Sequence, residues 1–283
     1  ALIKLERFID AKVLLDQSKS KGIKGFDFDQ LEQRLNEAIK ALSIKPDNPD
    51  AYFNMGNALV EENKLEEAIE AYTKAISIKP DYVDAYNNMG NALLEQNKLE
   101  EAIEAYTKAI SIKPDYVDAY YNMGNILQNQ GKSEEAIEAY NKALAIKPDH
   151  VDAYYNMGIA LQNQNKLEEA KEAYNKVLAI KSDYVDAYYN MGIALKNQGK
   201  LEEAIEAYNK VLAIKPDNAR AYNNMGNALK EQGKLEEAIE AYNKALAIKP
   251  DYETARTQKL HQQASICDWD SIAEDIDLIP ELG

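Results

Sequence analysis

A pattern of 34 residues recurs along this chain, and a chain built of near-copies folds as near-copies, each unit too small to bury its own apolar face without a neighbour. Tyr52, Tyr86, Tyr120, Tyr154, Tyr188 and Tyr222 keep this spacing, as do Gly56, Gly90, Gly124, Gly158, Gly192 and Gly226, and Ala68, Ala102, Ala136, Ala170, Ala204 and Ala238. Six repeats run 49–82, 83–116, 117–150, 151–184, 185–218 and 219–252. Within the first, Ala51, Tyr52, Met55, Ala58 and Leu59 form one helical stripe, and Leu65, Ala68, Ile69, Tyr72, Ala75 and Ile76 a second. The residue between them is Asn63, Asn97, Gly131, Asn165, Gly199 or Gly233, always Asn or Gly, which predicts a left-handed residue closing the first helix. Pro80 cannot continue the second helix, and the Asp81 after it is placed to accept hydrogen bonds from the next helix. Gly56 and Ala68 fall where the two helices must approach closely.

This pattern, carried by Tyr52, Met55, Gly56, Ala68, Tyr72, Ala75 and Pro80, resembles the tetratricopeptide repeat. The fold expected is therefore all-α, a right-handed superhelical solenoid of helix-turn-helix repeats. Departures cluster in the fourth repeat, where Lys171 replaces the recurring Ile and Ser182 the recurring Pro, so that repeat is expected to be the least tightly joined to its neighbour. Val177 and Val211 stand in for Ala. Residues 1–48 read as a degenerate N-terminal helical pair, with helices over 2–18 and 31–46. Residues 253–283 read as a capping helix, its polar face carrying Arg256, Lys259, Gln262 and Gln263, followed by the start of a linker to a missing domain. The chain opens at Ala1 and stops at Gly283, which reads as a fragment or processed form.

Charge narrows the partners. Residues 1–48 hold nine basic and eight acidic groups, the repeats 22 and 33, and residues 253–283 two and seven, within a net charge of −15. Phosphate-backbone binding needs clustered Lys and Arg on one face, so nucleic acid is not expected. No apolar run approaches the roughly 18 residues of a membrane span, and the lone Cys267 makes no internal disulfide; a soluble, cytoplasmic protein is expected. With only His150 and His261, little material exists for a metal site or a His-based catalytic set, and no cofactor is expected.

In tetratricopeptide solenoids the first helices line a concave surface, and the resemblance implies that places two, five, six and nine of each repeat point there. Place six is Asn54, Asn88, Asn122, Asn156, Asn190 and Asn224 without a break; place two is Asp50, Asp84, Asp118, Asp152 and Asp186, then Arg220. Place five holds Phe53, Asn87, Tyr121, Tyr155, Tyr189 and Asn223, and place nine Asn57, Asn91, Asn125, Ile159, Ile193 and Asn227. An asparagine amide can pair with both the C=O and the N–H of an extended peptide whatever its sequence; it can equally just solvate the lumen. The aspartates of the row, Asp84, Asp118, Asp152 and Asp186 among them, can meet basic groups of a ligand or simply complement the helix dipole. Tyr121, Tyr155 and Tyr189 are either ligand platforms or packing between first helices. The Tyr52 and Tyr72 series read as core, and the Glu66, Glu67, Glu70 run with Lys64, Lys74 and Lys79 as a solvated face.

At the end of the chain Cys267-Asp268-Trp269 is similar to the segment that follows the repeats in the protein O-linked N-acetylglucosamine transferase family. That resemblance implies a catalytic half beyond Gly283 as a covalent fusion. Cys267 itself reads as a packed thiol beside Trp269. Nothing in residues 1–283 offers an acid-base pair or nucleotide cradle, so no catalysis by this chain is expected. Two functions stay open: the substrate-recognition arm of a protein-modifying enzyme, taking extended peptides of neutral or basic character, and a stand-alone scaffold joining protein partners.

Overall fold

A computed structural model describes residues 48–267 together with Ile272; the helices expected over 2–18 and 31–46, and Asp268 and Trp269, lie outside the described residues. Among these there are thirteen α-helices and no strand. They are α1 Pro49–Glu61, α2 Leu65–Ile78, α3 Val83–Glu95, α4 Leu99–Ile112, α5 Val117–Asn129, α6 Ser133–Ile146, α7 Val151–Asn163, α8 Leu167–Ile180, α9 Val185–Asn197, α10 Leu201–Ile214, α11 Ala219–Glu231, α12 Leu235–Ile248 and α13 Glu253–Ser265. The chain divides into two compact units, one ending at Ile126 and one beginning at Leu127.

The turn inside each pair is as the sequence predicts. Asn63, Asn97 and Asn165 have φ of 59–60°, and Gly131, Gly199 and Gly233 have φ of 73–78°. After Asn63 the amide of Lys64 bonds back to Leu59 O at 2.8 Å while Asn63 N bonds to Val60 O at 2.9 Å. These two bonds satisfy carbonyls the helix would otherwise leave open. The start of each first helix differs from expectation by one residue. The cap of α3 is Tyr82, and Asp81 contributes its backbone oxygen, which accepts from Val83 N at 3.0 Å. Side-chain caps occur where that following residue carries an acceptor: Asn48 for α1, His150 for α7 and Asn218 for α11. A tyrosine there cannot cap, so at Tyr82 it turns to other uses.

The close approach inside a pair is made by glycine against tyrosine. A methyl group on Gly90 would stand 2.6 Å from the Tyr106 ring, and one on Gly192 2.6 Å from the Tyr208 ring. The rings of Tyr72, Tyr106, Tyr140, Tyr174, Tyr208 and Tyr242 are all fully buried. In the first unit Tyr106 packs with Leu93, Ala102, Ala109, Ala119 and Ile126. In the second, Tyr174 packs with Leu161, Ala170, Val177 and Ala187, and the larger Val177 and Val211 are accepted without exposure.

The fourth repeat is not loosened by its departures. Lys171 reaches Glu203 of α10 at 2.6 Å, so the lysine in place of isoleucine adds a tie to the following repeat, beside the Lys200–Glu168 pair. α8 also ends at Ile180, in register with the others, although Ser182 replaces proline. At the far end α13 buries Gln262 and Gln263, so two of the four polar residues that suit it to a capping role are part of its packing. Cys267 is exposed with φ of 60° rather than packed.

Gly90→Ala is expected to destabilise the fold by up to about 2 kcal/mol, read as a lower denaturant midpoint, since steric overlap of about 1–3 kcal/mol outweighs the helix-propensity gain of about 1 kcal/mol; an unchanged midpoint would show that the Tyr106 ring can shift. Burial, the largest cause, pushes the Tyr72 and Tyr242 hydroxyls up to about 12. Such a group binds its proton more tightly in the folded state, so its stabilising contribution is intact below the unfolded value near 10 and declines as pH rises from about 10 towards 12. Alkaline titration followed by tyrosinate absorbance and circular dichroism is expected to show a late-ionising class whose ionisation coincides with loss of helix.

Candidate functional site

The candidate residues sit on the first helix of each pair, and in the first unit they form a hydrogen-bonded ladder. Asn54 is exposed, while Asn88 and Asn122 are half-buried. Asn88 donates from Nδ2 to Asn57 Oδ1 at 2.9 Å, and Asn122 donates to Asn91 Oδ1 at 3.0 Å. The same two oxygens accept the buried hydroxyls of Tyr72, at 2.8 Å, and Tyr106, at 2.7 Å. Place nine is thus a hub: one carbonyl with two lone pairs holds its own pair's core tyrosine and the next pair's asparagine.

The second unit reaches the same result with other residues. Place nine is Ile159 and Ile193, which accept nothing, and place five is Tyr155 and Tyr189. Asn190 donates to Tyr155 Oη at 3.0 Å, and Asn224 to Tyr189 Oη at 2.9 Å. Tyr174 turns to Gln162 at 3.0 Å; Tyr140 likewise donates to Gln128 at 2.7 Å although place nine of its repeat is Asn125, and Tyr242 keeps the place-nine Asn227 at 2.9 Å. Asn156 is half-buried on the same face of α7.

The aromatic residues of place five pack as well as present a hydroxyl. Tyr155 lies with its ring centroid 6.2 Å from Tyr174 and 5.2 Å from Tyr184. Phe53 holds the equivalent place beside Tyr72 and Tyr82. Tyr121 is half-buried. Where asparagine takes place five, at Asn87 and Asn223, it is buried to 5% and 3% exposure and donates to the neighbouring Asn88 or Asn224 at 3.3 Å. The sequence reading missed the roles of Asn57 and Asn91. The signal available was the pairing of places five and nine, where isoleucine at nine occurs only with tyrosine at five.

Asp84, Asp118, Asp152 and Asp186 are all exposed. Two aspartates of the row are also tied to the following repeat, Asp50 accepting from Tyr82 Oη at 2.9 Å and Asp84 from Tyr116 Oη at 2.8 Å. Burial first, and then donation to Asp50, pushes the Tyr82 hydroxyl up to about 12. Burial and the Asp186 charge likewise raise Tyr155. A lysine three residues earlier lies over the ring of Tyr82 and of Tyr116, Lys79 at 4.4 Å and Lys113 at 5.4 Å from the respective centroids, and Lys181 lies likewise at 5.3 Å from that of Tyr184.

Chemically, each unit therefore offers a face of neutral amides and hydroxyls flanked by carboxylates, suited to hydrogen bonding rather than bond-making. Among the described residues no group of three or more His, Cys, Asp or Glu could hold a metal ion, and no helix is long and apolar enough to cross a membrane. The asparagine ladder is expected to contribute measurably to stability. Asn190→Ala and Tyr155→Phe are each expected to cost about 1 kcal/mol, and the double variant to cost less than the sum, with a coupling of about 0.5–1 kcal/mol in a denaturation cycle; strict additivity would show that the contact carries no energy.

Comparison with known proteins fits this geometry. Family models described as TPR repeat match residues 56–97, 90–131, 124–165, 163–199 and 194–233, and models described as tetratricopeptide repeat match 219–252 and 38–70. No curated protein matches the chain. Among solved structures, YrrB, described as a TPR protein with an unusual peptide-binding site, is 29% identical, covers 68% of this chain and 98% of its own, and superposes with a TM-score of 0.62. MamA is 30% identical over 57% of this chain and 95% of its own, at a TM-score of 0.56. PilF of Pseudomonas aeruginosa, at 21% identity, 77% and 97% coverage and a TM-score of 0.61, shares the fold. The chain belongs to the tetratricopeptide repeat family and is a protein-interaction module.

Proposed function

We propose that the first-helix faces bind extended peptide segments of partner proteins, with Asn54, Asn88, Asn122, Asn156, Asn190 and Asn224 pairing with the peptide backbone. The observation that carries this reading is the fixed presentation of the asparagines. The struts from Asn88, Asn122, Asn190 and Asn224 to Asn57, Asn91, Tyr155 and Tyr189 each use one of two N–H donors and fix the amide's orientation. An amide already immobilised gives up little rotamer entropy when a ligand arrives. Tyr121, Tyr155 and Tyr189 supply flat apolar surface beside the amides. Asp84, Asp118, Asp152 and Asp186 repel acidic sequences and steer neutral or basic ones. The peptide-binding site described for YrrB, at 29% identity, supports the same use of the fold.

The chain's place in a larger assembly rests on one further observation. Cys267-Asp268-Trp269 resembles the segment after the repeats in the O-linked N-acetylglucosamine transferase family, and on that resemblance the chain serves as the substrate-recognition arm of a protein-modifying enzyme. YrrB and MamA, matched over 98% and 95% of their own chains by this fold, favour the other reading, a stand-alone adaptor. A coding sequence that continues past Gly283 into a nucleotide-sugar-binding domain decides for the arm, and a stop codon there decides for the adaptor.

Replacing Asn122, Asn156 and Asn190 together by alanine is expected to weaken binding of every peptide by about ten-fold or more, at roughly 1 kcal/mol per lost hydrogen bond, with helix content retained. Replacing Asp118, Asp152 and Asp186 by asparagine is expected instead to erase the preference for a basic over an acidic peptide and to flatten the salt dependence. Calorimetric titration with one basic and one acidic peptide measures both, and unchanged affinity in the asparagine variant would reduce the row to a solvated structural ladder.

A further inference from the structure

The side of α7 opposite the asparagine row carries a second opening. Places four, seven and eleven of a helix point away from places two, six and nine, and there Tyr154, Met157 and Leu161 floor a groove walled by Ile137 of α6 and Ala173 of α8. Its volume is about 230 Å³, below the roughly 300–1,000 Å³ of sites for whole small molecules and suited to a single side chain. Glu169 and Glu172 stand on its α8 lip, both exposed, and Lys176 and Asn141 complete the rim.

The equivalent places in other repeats are occupied by lysines of the chain itself. In the fourth repeat place twenty-one, isoleucine at Ile137, is Lys171, and its ammonium reaches the place-nineteen Glu203 at 2.6 Å. In the sixth, Lys244 lies over the place-four Tyr222, 6.0 Å from the ring centroid, and pairs with the place-twenty-two Glu240 at 2.8 Å. In the first, Lys74 lies over Tyr52 at 5.9 Å. The open groove holds the same three receptors, Glu169 at place nineteen, Glu172 at twenty-two and Tyr154 at four. Among the described residues no ion pair or cation–ring contact engages any of the three, and Lys176, the counterpart of Lys244, makes neither of its contacts.

We propose that this groove receives a lysine side chain of a partner protein, on a surface separate from the asparagine row. The methylene stem lies along Ile137, Met157 and Leu161 while the ammonium meets the Tyr154 face and the two glutamates. A neutral apolar side chain would use the floor but not the charge, and an acidic one is repelled by Glu169 and Glu172, which outnumber Lys176 at the rim; lysine matches both halves. In the next groove that requirement is met from within, because Lys171 already holds Glu203. Since Tyr154 and Asn156 face opposite ways on α7, the second unit can hold a peptide on one side and a second partner on the other.

The test uses the full chain labelled with ¹³C-methyl methionine. All six methionines, Met55, Met89, Met123, Met157, Met191 and Met225, hold place seven, so Met157 reads the groove and the others are internal controls, assigned by single Met→Leu substitutions. The probes are short capped peptides that differ only in a central lysine, norleucine or glutamate. The Met157 resonance is expected to move saturably with the lysine peptide, at an affinity roughly five-fold above that for norleucine, and not to move with glutamate. Glu169→Gln combined with Glu172→Gln is expected to erase the preference for lysine with the melting temperature unchanged. Lys171→Ile restores the recurring residue and frees Glu203, and is expected to make Met191 respond to the same peptide. The Asn122, Asn156, Asn190 triple alanine variant is expected to keep the Met157 response of the parent. A Met157 resonance that stays fixed, moves equally with norleucine, or keeps its lysine preference in the double glutamine variant overturns the groove. So does a Met191 that stays silent in Lys171→Ile, or a Met157 response lost with the asparagine row.

Discussion

Each helix pair closes on a tyrosine ring seated against a glycine, and the placement of the remaining polar groups follows from that contact. With no side chain on Gly90, the Tyr106 ring lies directly on the α3 backbone, fully buried. A ring held in this way projects its hydroxyl to the face of the first helices, where a buried hydroxyl must find an acceptor. The acceptor chosen, Asn91, also takes the amide of Asn122 from the next repeat. Core packing within a pair, junction between pairs and the candidate binding face are therefore one connected hydrogen-bond system. A change at any of the three is felt by the other two.

The variety among repeats consists of different solutions to that requirement. In the first two repeats asparagine at place nine answers both the tyrosine and the neighbouring asparagine, whereas in the third, which also has asparagine there, the tyrosine takes Gln128. Isoleucine at place nine adds apolar burial but answers neither, and then glutamine at place twelve serves the tyrosine while a tyrosine at place five serves the asparagine. The fifth repeat makes half of that exchange, since Tyr189 serves Asn224 but Lys196 has left for Glu231. The buried Tyr208 hydroxyl is left with Asn224 and Tyr189 beside it in place of the asparagine or glutamine acceptor its counterparts have.

Features governed by local backbone geometry were legible in the sequence. Asn63 and its counterparts announce a left-handed turn because few residues adopt positive φ without strain, and all of those described do so. The helix pairs follow from apolar spacing alone. The helix cap was misplaced by one residue because aspartate is a good capping residue in general, whereas the chain leaving Pro80 reaches the helix only at Tyr82. The partners of Asn88 and Asn190 were out of reach for a different reason. They lie 31 and 35 residues away, and which of them is used depends on whether place nine carries an acceptor. Lys171 misled in the same way: on its own helix it looks like a lost apolar contact, and only the fold brings Glu203 to it.

The ties on the aspartates bear on how the face can discriminate. Asp50 and Asp84 each accept a tyrosine hydroxyl, which fixes one carboxylate oxygen but removes no charge. Long-range repulsion of acidic sequences depends on charge and so survives, whereas a close ion pair with a ligand lysine has to use the remaining oxygen in a fixed direction. The preference for basic ligands proposed above should then be felt more in the rate of association than in the lifetime of the complex, since steering acts before contact. On the proposed peptide-binding role, the lifetime would fall to groups held rigid at short range, the strutted amides, which can pair with any peptide backbone whatever its sequence. Sequence discrimination at short range must therefore come from places where the repeat departs from itself. In the second unit the sharpest such departure is Arg220, where the sign of the charge reverses.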